Sequence, residues 1–218
     1  MTDAAAGPAV PAPGAASGPP ALSALVLAAG EGRRFDPSGR RWKLAEALPD
    51  GRSVVRASCE ALLGQVDEIV VVCGAHESEL ARLLAGMPLR LLPCPEAAAG
   101  MGASLKCGLR ASAPSVGWLL ALADMPFVAP ATLRAVGERL RQGADIVRPV
   151  FEGRPGHPVG FAARLREPLM LIGDEAGAAG LLRRLADRVV TLPVADAGCV
   201  RDIDRPDDLA PAPADPSR

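Results

Sequence analysis

Short apolar runs alternate with amphipathic stretches along this chain, and that alternation is the strongest constraint on its fold. The clearest runs, Glu68–Cys73 (EIVVVC) and Trp118–Ala123 (WLLALA), have the composition of strands buried on both faces. Strands that alternate with helices predict an α/β fold in which helices cover both faces of a mostly parallel central sheet. Ligands of such sheets bind beyond the carboxyl ends of the strands, so residues that directly follow a strand are the first site candidates.

The predicted elements extend from residue 25 to residue 194. We expect strands at Leu25–Ala28, Glu68–Cys73, Leu89–Leu92, Trp118–Ala123, Pro158–Phe161 and Val189–Val194. We expect helices at Ser53–Leu63 (with Ser53 as a cap), Glu77–Leu84, Ala103–Ala111, Pro130–Arg141 and Gly177–Ala186. Residues 21–210 should form a single domain around one continuous sheet. The segments 1–20 and 211–218, in which Ala and Pro predominate, are predicted to be flexible tails.

Composition narrows the function classes. The formal net charge of −1 argues against a nucleic-acid binder. No apolar run is long enough to span a bilayer, and the N-terminus lacks the order of a signal peptide, so we expect a cytoplasmic protein without a membrane partner. The five cysteines form no C-x-x-C pair, a pattern typical of reduced thiols rather than of disulfides or a zinc site. With two histidines in the chain, the ligands of any bound metal should be oxygens.

The segment Ala24–Lys43, ALVLAAGEGRRFDPSGRRWK, predicts a nucleotide-binding loop. A short strand ends there in small residues, which allow a ligand to approach backbone N–H groups that can face an anion. These small residues are Ala28, Ala29, Gly30 and Gly32. Positive charge for a triphosphate comes from Arg33, Arg34 and Lys43. The glycines complete neither a dinucleotide fingerprint nor a Walker loop, and a tight turn after the strand is the alternative. For Lys43 the alternative is a solvated charge beside Arg40 and Arg41.

Asp124 directly follows the strand WLLALA and precedes Met125-Pro126. Because Gly30 also follows a strand, we expect Gly30 and Asp124 to lie at the same edge of the sheet. A carboxylate opposite a phosphate-binding loop can hold Mg²⁺ between the protein and a triphosphate. The alternative function of Asp124 is to cap the helix that begins near Pro130.

The sequence L-A-A-G-x-G-x-R-F, followed at a distance by Lys43-Leu44, resembles the signature loop of the MobA-like nucleotidyltransferases, and most closely that of the molybdenum-cofactor cytidylyltransferases. The resemblance extends from about Ala24 to Leu209 and implies a three-layer, Rossmann-like nucleotidyltransferase fold. It implies that Lys43, Arg33 and Asp124 are catalytic. The nucleotide-binding residues that it implies are Leu27, Ala28, Ala29, Gly30, Gly32, Arg34, Lys43, Gly74, Gly100, Met101 and Ser104. Met125 departs from the family's usual Asp-Gln-Pro.

Two further acids, Asp202 and Asp204, follow near the end of the chain. The segment Arg201–Leu209 resembles the family's Asp-Ile-Asp-Thr-Pro-Glu-Asp-Leu. In an extended segment Asp202 and Asp204 point to one face, while Ile203 turns to the core. The resemblance implies that one of them is a second Mg²⁺ ligand. We favour Asp202, with Asp204 as its partner, because Asp204 also suits helix capping before Pro206.

Three further motifs concern the substrates. Gly100–Leu105 resembles the family's Gly-Met-(Ser/Gly)-x-Ser-Leu, which helps to form the base and ribose pocket, whereas a plain helix start with Ser104 near the cap is the alternative. His157, in Gly-His-Pro, is implied to face the second substrate through phosphate contact or proton transfer. A loop histidine satisfied by backbone groups is its alternative, and for His76 we expect an ordinary turn. Gly173–Ala178 departs from the family's Gly-Asp-x-Gly-Ala-Arg, which weakens the assignment of the second substrate.

These resemblances imply an Mg²⁺-dependent enzyme that transfers CMP from CTP to the phosphate of molybdopterin or of the molybdenum cofactor, with release of pyrophosphate. Transfer of GMP, or transfer to a sugar phosphate, is an alternative that needs the same loop and acids. A non-catalytic protein that holds the cofactor for a molybdoenzyme apoprotein is an alternative from a different class. Lys43 and Asp124, both present, favour the enzyme.

Overall fold

Strand β1 (Leu22–Leu27) lies at the centre of the sheet in this computed structural model, which describes residues 21–30, 32 and 34–210. It pairs in parallel with β2 on one side and with β4 on the other. Its side chains alternate between two apolar cores, because Ala24 and Val26 pack on one face while Leu25 packs on the other. A central parallel strand has no solvent-exposed face, which explains why its sequence is a continuous apolar run.

The sheet has eight strands and is mixed but mostly parallel, as the sequence predicts. Its order is β3-β2-β1-β4-β7-β5-β6, and β8 pairs with β5. The antiparallel pairs are β4 with β7, β5 with β7, and β5 with β6. The remaining strands are β2 (Glu68–Cys73), β3 (Arg90–Pro93), β4 (Gly117–Leu122), β5 (Ile146–Phe151), β6 (Arg154–Pro155), β7 (Val159–Ala162) and β8 (Val189–Pro193).

Helices cover both faces of the sheet and complete the three layers. The helices are α1 (Val54–Glu60), α2 (Glu77–Leu83), α3 (Met101–Ala111), α4 (Pro130–Arg141), α5 (Arg166–Met170) and α6 (Ala179–Arg184). Buried residues of α1, α2 and α4 join the core on one face, and those of α3, α5 and α6 join the core on the other. The α/β fold with a mostly parallel sheet is confirmed.

The differences from the predicted elements have local causes. Strand β1 begins three residues earlier than predicted because its polar entry is paired, with the Ser23 hydroxyl donating to Glu68 Oε2 (2.9 Å) and the Leu22 amide donating to Asp67 Oδ2 (2.8 Å). Ser53 caps α1 as predicted, since its side chain accepts the Arg56 amide. Strand β5, the short strand β6, helix α5 and the antiparallel direction of β7 were not predicted. None of the helices in the described part of the chain is long and apolar enough to cross a membrane.

A buried hydrogen-bond chain fixes the connection between α3 and β4, and it yields a stability prediction. Trp118 Nε1 donates to Ser112 Oγ (2.9 Å), and this hydroxyl donates to the Gly108 carbonyl (3.0 Å). Ser112→Ala leaves the buried indole N–H of Trp118 without its acceptor, so we expect a loss of about 1–3 kcal/mol in the free energy of unfolding in urea. In a Trp118→Phe background, Ser112→Ala should lower the free energy of unfolding by less. An equal loss of free energy in both backgrounds would contradict the hydrogen bond between Trp118 Nε1 and Ser112 Oγ.

Candidate functional site

The Lys43 side chain lies between two carboxylates at the carboxyl edge of the sheet. Its Nζ is 2.5 Å from Asp124 Oδ2 and 3.3 Å from Asp204 Oδ1. The side chain is only 12% exposed, so the alternative of a solvated surface charge is wrong. Arg34 joins the group from outside, with a guanidinium nitrogen 2.7 Å from Asp204 Oδ2 and a side chain that is 82% exposed. The structure thus brings together residues separated by up to 170 positions in the chain.

A backbone contact joins the two acidic segments. The Ile203 amide donates to the Asp124 carbonyl (2.8 Å), and the Ile203 side chain is fully buried in the core, as predicted. The segment therefore presents Asp202 and Asp204 to the side of the sheet on which Asp124 lies. One carboxylate oxygen from each of the three residues lies within 4.8 Å of the others. This set consists of oxygen donors only, which is the chemistry that Mg²⁺ prefers, so the residues present fit that ion.

Both helix-capping alternatives for these acids are wrong. Helix α4 is capped from a distant loop, because Asp196 Oδ2 accepts the Ala129 amide (3.0 Å) and the Thr132 hydroxyl (2.6 Å). The 3₁₀ turn Pro206–Leu209 is capped by Asp208, whose Oδ2 accepts the amides of Asp204 (2.9 Å) and Arg205 (2.7 Å). Asp124 and Asp204 are therefore not occupied by capping, and their carboxylates face the cluster.

The glycine turn is held against this cluster by Trp42. The indole Nε1 of Trp42 donates to the Gly30 carbonyl (3.2 Å), and its ring stacks on His76 with centroids 4.2 Å apart and an interplanar angle of 17°. Gly32 has a φ of +68°, and a Cβ there would lie 3.3 Å from Lys43 Cγ. A side chain at position 32 would be strained and would press on Lys43. His76 thus precedes α2 as its N-cap residue and supports the loop through Trp42, which goes beyond the ordinary turn expected for it.

Most of the predicted site residues line one cavity of ≈ 370 Å³ at this edge. They are Leu27, Ala29, Gly30, Gly32, Arg34, Lys43, Gly100, Met101, Ser104, Asp124 and Asp204. This volume lies within the range of small-molecule sites, which are typically about 300–1,000 Å³. The expected meeting of Gly30 with Asp124 at one edge is therefore present in the structure.

The remaining predicted residues lie elsewhere. Ala28 packs in the core beneath the turn, and its amide donates to the Val72 carbonyl (2.9 Å). Gly74 lines a neighbouring cavity of ≈ 410 Å³, which shares Ala29 and Ala97 with the first. Asp202 is exposed and belongs to the acidic cluster without lining the cavity. Arg33 lies outside the described residues, as do the predicted tails 1–20 and 211–218.

The start of α3 forms the opposite wall of the cavity. The helix begins at Met101, two residues earlier than predicted, with Gly100 at the N-cap and a φ of +128° there. Ser104 does not cap the helix, because its hydroxyl donates to the Gly100 carbonyl (3.3 Å). The loop around Asp174 packs directly against this helix start, where the Asp174 carbonyl accepts the Ala103 amide (3.1 Å).

His157 lies beside the acids, apart from this cavity. Its backbone amide donates to the Cys199 carbonyl (2.8 Å), but its Nδ1 is buried and has no hydrogen-bond partner in the described part of the chain, so the backbone satisfies this histidine only in part. Burial and the Arg148 guanidinium lower the pKa of His157 below its ordinary value, although Asp124 and Asp202 act in the opposite direction. The imidazole is therefore neutral near pH 7 and is suited to proton transfer rather than to ion pairing.

Sequence reasoning missed the apolar half of the site. Phe35, Leu44, Ala97 and Leu122 also line the cavity, and Trp42 fixes the glycine turn from behind. Phe35 and Leu44 belong to the motifs that were recognised, but binding roles were assigned only to the small and charged residues beside them. Trp42 offered one weak signal, because it is one of two tryptophans in a chain that is 3% aromatic and it directly precedes Lys43.

Comparisons with known proteins identify the family and support the fold. Residues 24–189 match the MobA-like NTP transferase domain. Over 195 residues the chain is 29% identical to nicotine blue oxidoreductase of Paenarthrobacter nicotinovorans, a match that covers 85% of this chain and 93% of that protein. A nucleotidyl transferase structure from Methanothermobacter thermautotroptrophicus is 28% identical, with 86% of this chain and 93% of that chain covered and a TM-score of 0.73. Molybdopterin-guanine dinucleotide biosynthesis protein A from Archaeoglobus fulgidus shares the fold, at 24% identity, coverage of 86% and 94%, and a TM-score of 0.60.

The matched range contains the glycine turn, Lys43 and Asp124, whereas Asp202 and Asp204 reach the same edge from beyond it. The match spans well over half of the chain. The protein therefore belongs to the MobA-like NTP transferase family, and its enzyme class is that of the nucleotidyltransferases.

Proposed function

We propose that this protein transfers CMP from CTP to the terminal phosphate of molybdopterin, or of its molybdenum-bearing form, and releases pyrophosphate. The observation that carries the proposal is the position of Lys43 Nζ between Asp124 and Asp204 on the wall of a cavity formed by the glycine turn. The resemblance of the sequence motifs to the molybdenum-cofactor cytidylyltransferases supports CTP as the donor and molybdopterin as the acceptor. The product would then pass to a molybdoenzyme apoprotein.

The residues of the cavity are suited to positioning two anions. In the reaction an oxygen of the acceptor phosphate attacks the α-phosphorus of CTP, a new P–O bond forms, and the bond to the β-phosphate oxygen breaks as pyrophosphate leaves. Such a transfer depends mainly on alignment and on charge stabilisation. Lys43 and Arg34, together with Arg33, would contact the triphosphate, while the backbone of Gly30 and Gly32 allows its close approach. The start of α3, where Gly100, Met101 and Ser104 line the same cavity, would contact the base and the ribose.

The acidic cluster of Asp124, Asp202 and Asp204 would hold Mg²⁺. When bound, this ion would neutralise negative charge on the phosphoryl oxygens. Asp204 is already paired with both Lys43 and Arg34, whereas Asp202 is more exposed. We therefore assign Asp124 and Asp202 as the metal ligands, and we assign Asp204 to the positioning of Lys43 and Arg34. His157, neutral at physiological pH and buried beside the acids, would accept or relay a proton on the side of the second substrate.

The first prediction from this function concerns the ion pair between Lys43 and Asp124. Lys43→Ala and Asp124→Asn should each lower kcat/KM for CTP by at least about 100-fold, because each removes a charge that acts on the transferring phosphoryl group. Arg188→Ala is the matched control, since Arg188 Nε pairs with Asp145 (2.6 Å) at the amino-terminal end of β5, away from the cavity. Circular dichroism and urea unfolding should show that all three variants fold. Normal turnover in both site variants would refute their assigned roles.

The second prediction separates the two later acids. Asp202→Asn should raise the Mg²⁺ concentration required for half-maximal activity by more than about tenfold, because it removes a ligand. Asp204→Asn should instead raise KM for CTP with a smaller change in the Mg²⁺ requirement, because Lys43 and Arg34 lose a shared anchor. For each variant, Mg²⁺ is titrated at saturating CTP and CTP is titrated at saturating Mg²⁺. The reverse pattern would show that Asp204 is the ligand and that the assignment to Asp202 is wrong.

The third prediction tests the substrates directly. Purified protein incubated with molybdopterin, Mg²⁺ and each of CTP, GTP, ATP and UTP should release pyrophosphate fastest with CTP and should yield the cytidine dinucleotide by mass. A GTP preference would replace CMP with GMP transfer, and turnover only with sugar phosphates would move the acceptor to that class. Tight pterin binding without turnover would favour a cofactor-holding protein.

A redox activity is the second candidate, because the chain is 29% identical to an oxidoreductase over 85% of its length. It is tested on the same samples by oxidation of NADH or NADPH in the presence of a dye acceptor. Oxidation that survives Asp124→Asn, together with no pyrophosphate release under any condition, would favour this candidate over nucleotidyl transfer.

A further inference from the structure

The connection between β3 and α3 brings two cysteines and a glutamate together, well apart in the sequence from the acids of the main site. Cys94 directly follows β3, Glu96 lies in the 3₁₀ turn Pro95–Ala99, and Cys107 lies in the second turn of α3. The two sulfur atoms and one carboxylate oxygen lie within 4.8 Å of one another. Cysteine spacing gave no sign of this cluster, because the thiols are 13 positions apart and meet only when α3 folds back on the strand end.

The separations suit a tetrahedral metal ion. With Zn–S bonds of about 2.3 Å and Zn–O bonds of about 2.0–2.2 Å, a sulfur and an oxygen on one zinc ion are roughly 3.5 Å apart. Cys94 Sγ is 3.7 Å from Glu96 Oε2, so small side-chain movements would create this geometry. Two thiolates and one carboxylate favour Zn²⁺ over Mg²⁺ or Ca²⁺, which prefer oxygen ligands alone.

An ion can reach these groups from solvent. Cys94 is 3% exposed, but it lines the ≈ 410 Å³ cavity beside Gly74. Glu96 is exposed and Cys107 is half-buried, so one side of the cluster remains open. Three protein ligands with an open side leave the fourth position to water, the arrangement of zinc sites that are not closed by a fourth side chain.

We propose that Cys94, Cys107 and Glu96 bind one Zn²⁺ ion and thereby tie the start of α3 to the end of β3. The segment between Cys94 and Cys107 contains Ala97, Gly100, Met101 and Ser104, which form one wall of the nucleotide cavity. Binding replaces two S–H protons by two Zn–S bonds, so two protons are released for each ion bound. This site is distinct from the Asp124 cluster in its ligands, and it does not depend on the identity of the transferred nucleotide.

The test uses the full chain under anaerobic conditions with a reductant that contains no thiol. Co²⁺ replaces Zn²⁺ as a spectroscopic probe, and a thiolate-to-cobalt charge-transfer band should saturate at one equivalent and disappear when Zn²⁺ is added. The band should be absent in Cys94→Ser and in Cys107→Ser. Glu96→Gln, an exposed substitution that is expected to fold, should weaken Zn²⁺ binding by at least about tenfold. The zinc content of the wild-type chain and of Cys107→Ser after dialysis, measured by elemental analysis, is the independent readout: about one ion per chain for the wild type and none for the variant.

Two variants control for the other candidates. Cys59→Ala removes a buried thiol in α1 and should keep the band. Asp124→Asn removes a ligand of the acidic cluster and should also keep it. Absence of a band at one equivalent in the wild-type chain, or a band that persists in Cys107→Ser, would overturn the proposal. Formation of a Cys94–Cys107 disulfide in air without Zn²⁺ binding under reducing conditions would overturn it as well.

Discussion

The convergence of three carboxylates at one edge of the sheet is the constraint that shapes the site. Two like charges 4 Å apart repel by about 1 kcal/mol in water and by about 4 kcal/mol at the effective dielectric constant near a protein surface. Asp124, Asp202 and Asp204 therefore need cations close by, and Lys43 and Arg34 provide two. Three negative and two positive charges leave one net negative charge among the described groups. Such a site favours a divalent cation and, once that cation is bound, a triphosphate.

The backbone makes this convergence possible at low cost. Ile203 is fully buried, and its amide donates to the Asp124 carbonyl, so the segment Arg201–Leu209 is attached to the sheet just beyond the end of β4. Trp42 fixes the glycine turn in a similar way, because its indole N–H donates to the Gly30 carbonyl and its ring stacks on His76. The charged groups are thus positioned by apolar anchors and main-chain contacts, which leaves their side chains available for ligands.

The sequence predicted the parts that follow from local pattern and from topology. Apolar runs identified the parallel strands, and the rule that the carboxyl ends of parallel strands share an edge predicted that Gly30 lies near Asp124. Long-range pairings could not be predicted in this way. Asp196 caps α4 from a position 64 residues beyond Thr132, and Cys94 meets Cys107 only after α3 has packed. The antiparallel direction of β7 was equally hidden, because a four-residue apolar strand has the same composition in either direction.

The choice between Asp202 and Asp204 as a metal ligand depends on their contacts, which a sequence motif does not give. A motif names both residues but not their contacts, and only the structure shows that Asp204 is paired with Lys43 and Arg34. We expect Lys43 to exchange partners when substrate binds, leaving a carboxylate for a phosphate oxygen.

A crystal structure with Mg²⁺ and a non-hydrolysable CTP analogue tests this exchange most directly. We expect Lys43 Nζ to move out of hydrogen-bond distance of Asp124 and to contact the triphosphate, while Mg²⁺ binds Asp124. A triphosphate bound away from the glycine turn, with the Lys43–Asp124 pair intact at 2.5 Å, would contradict it.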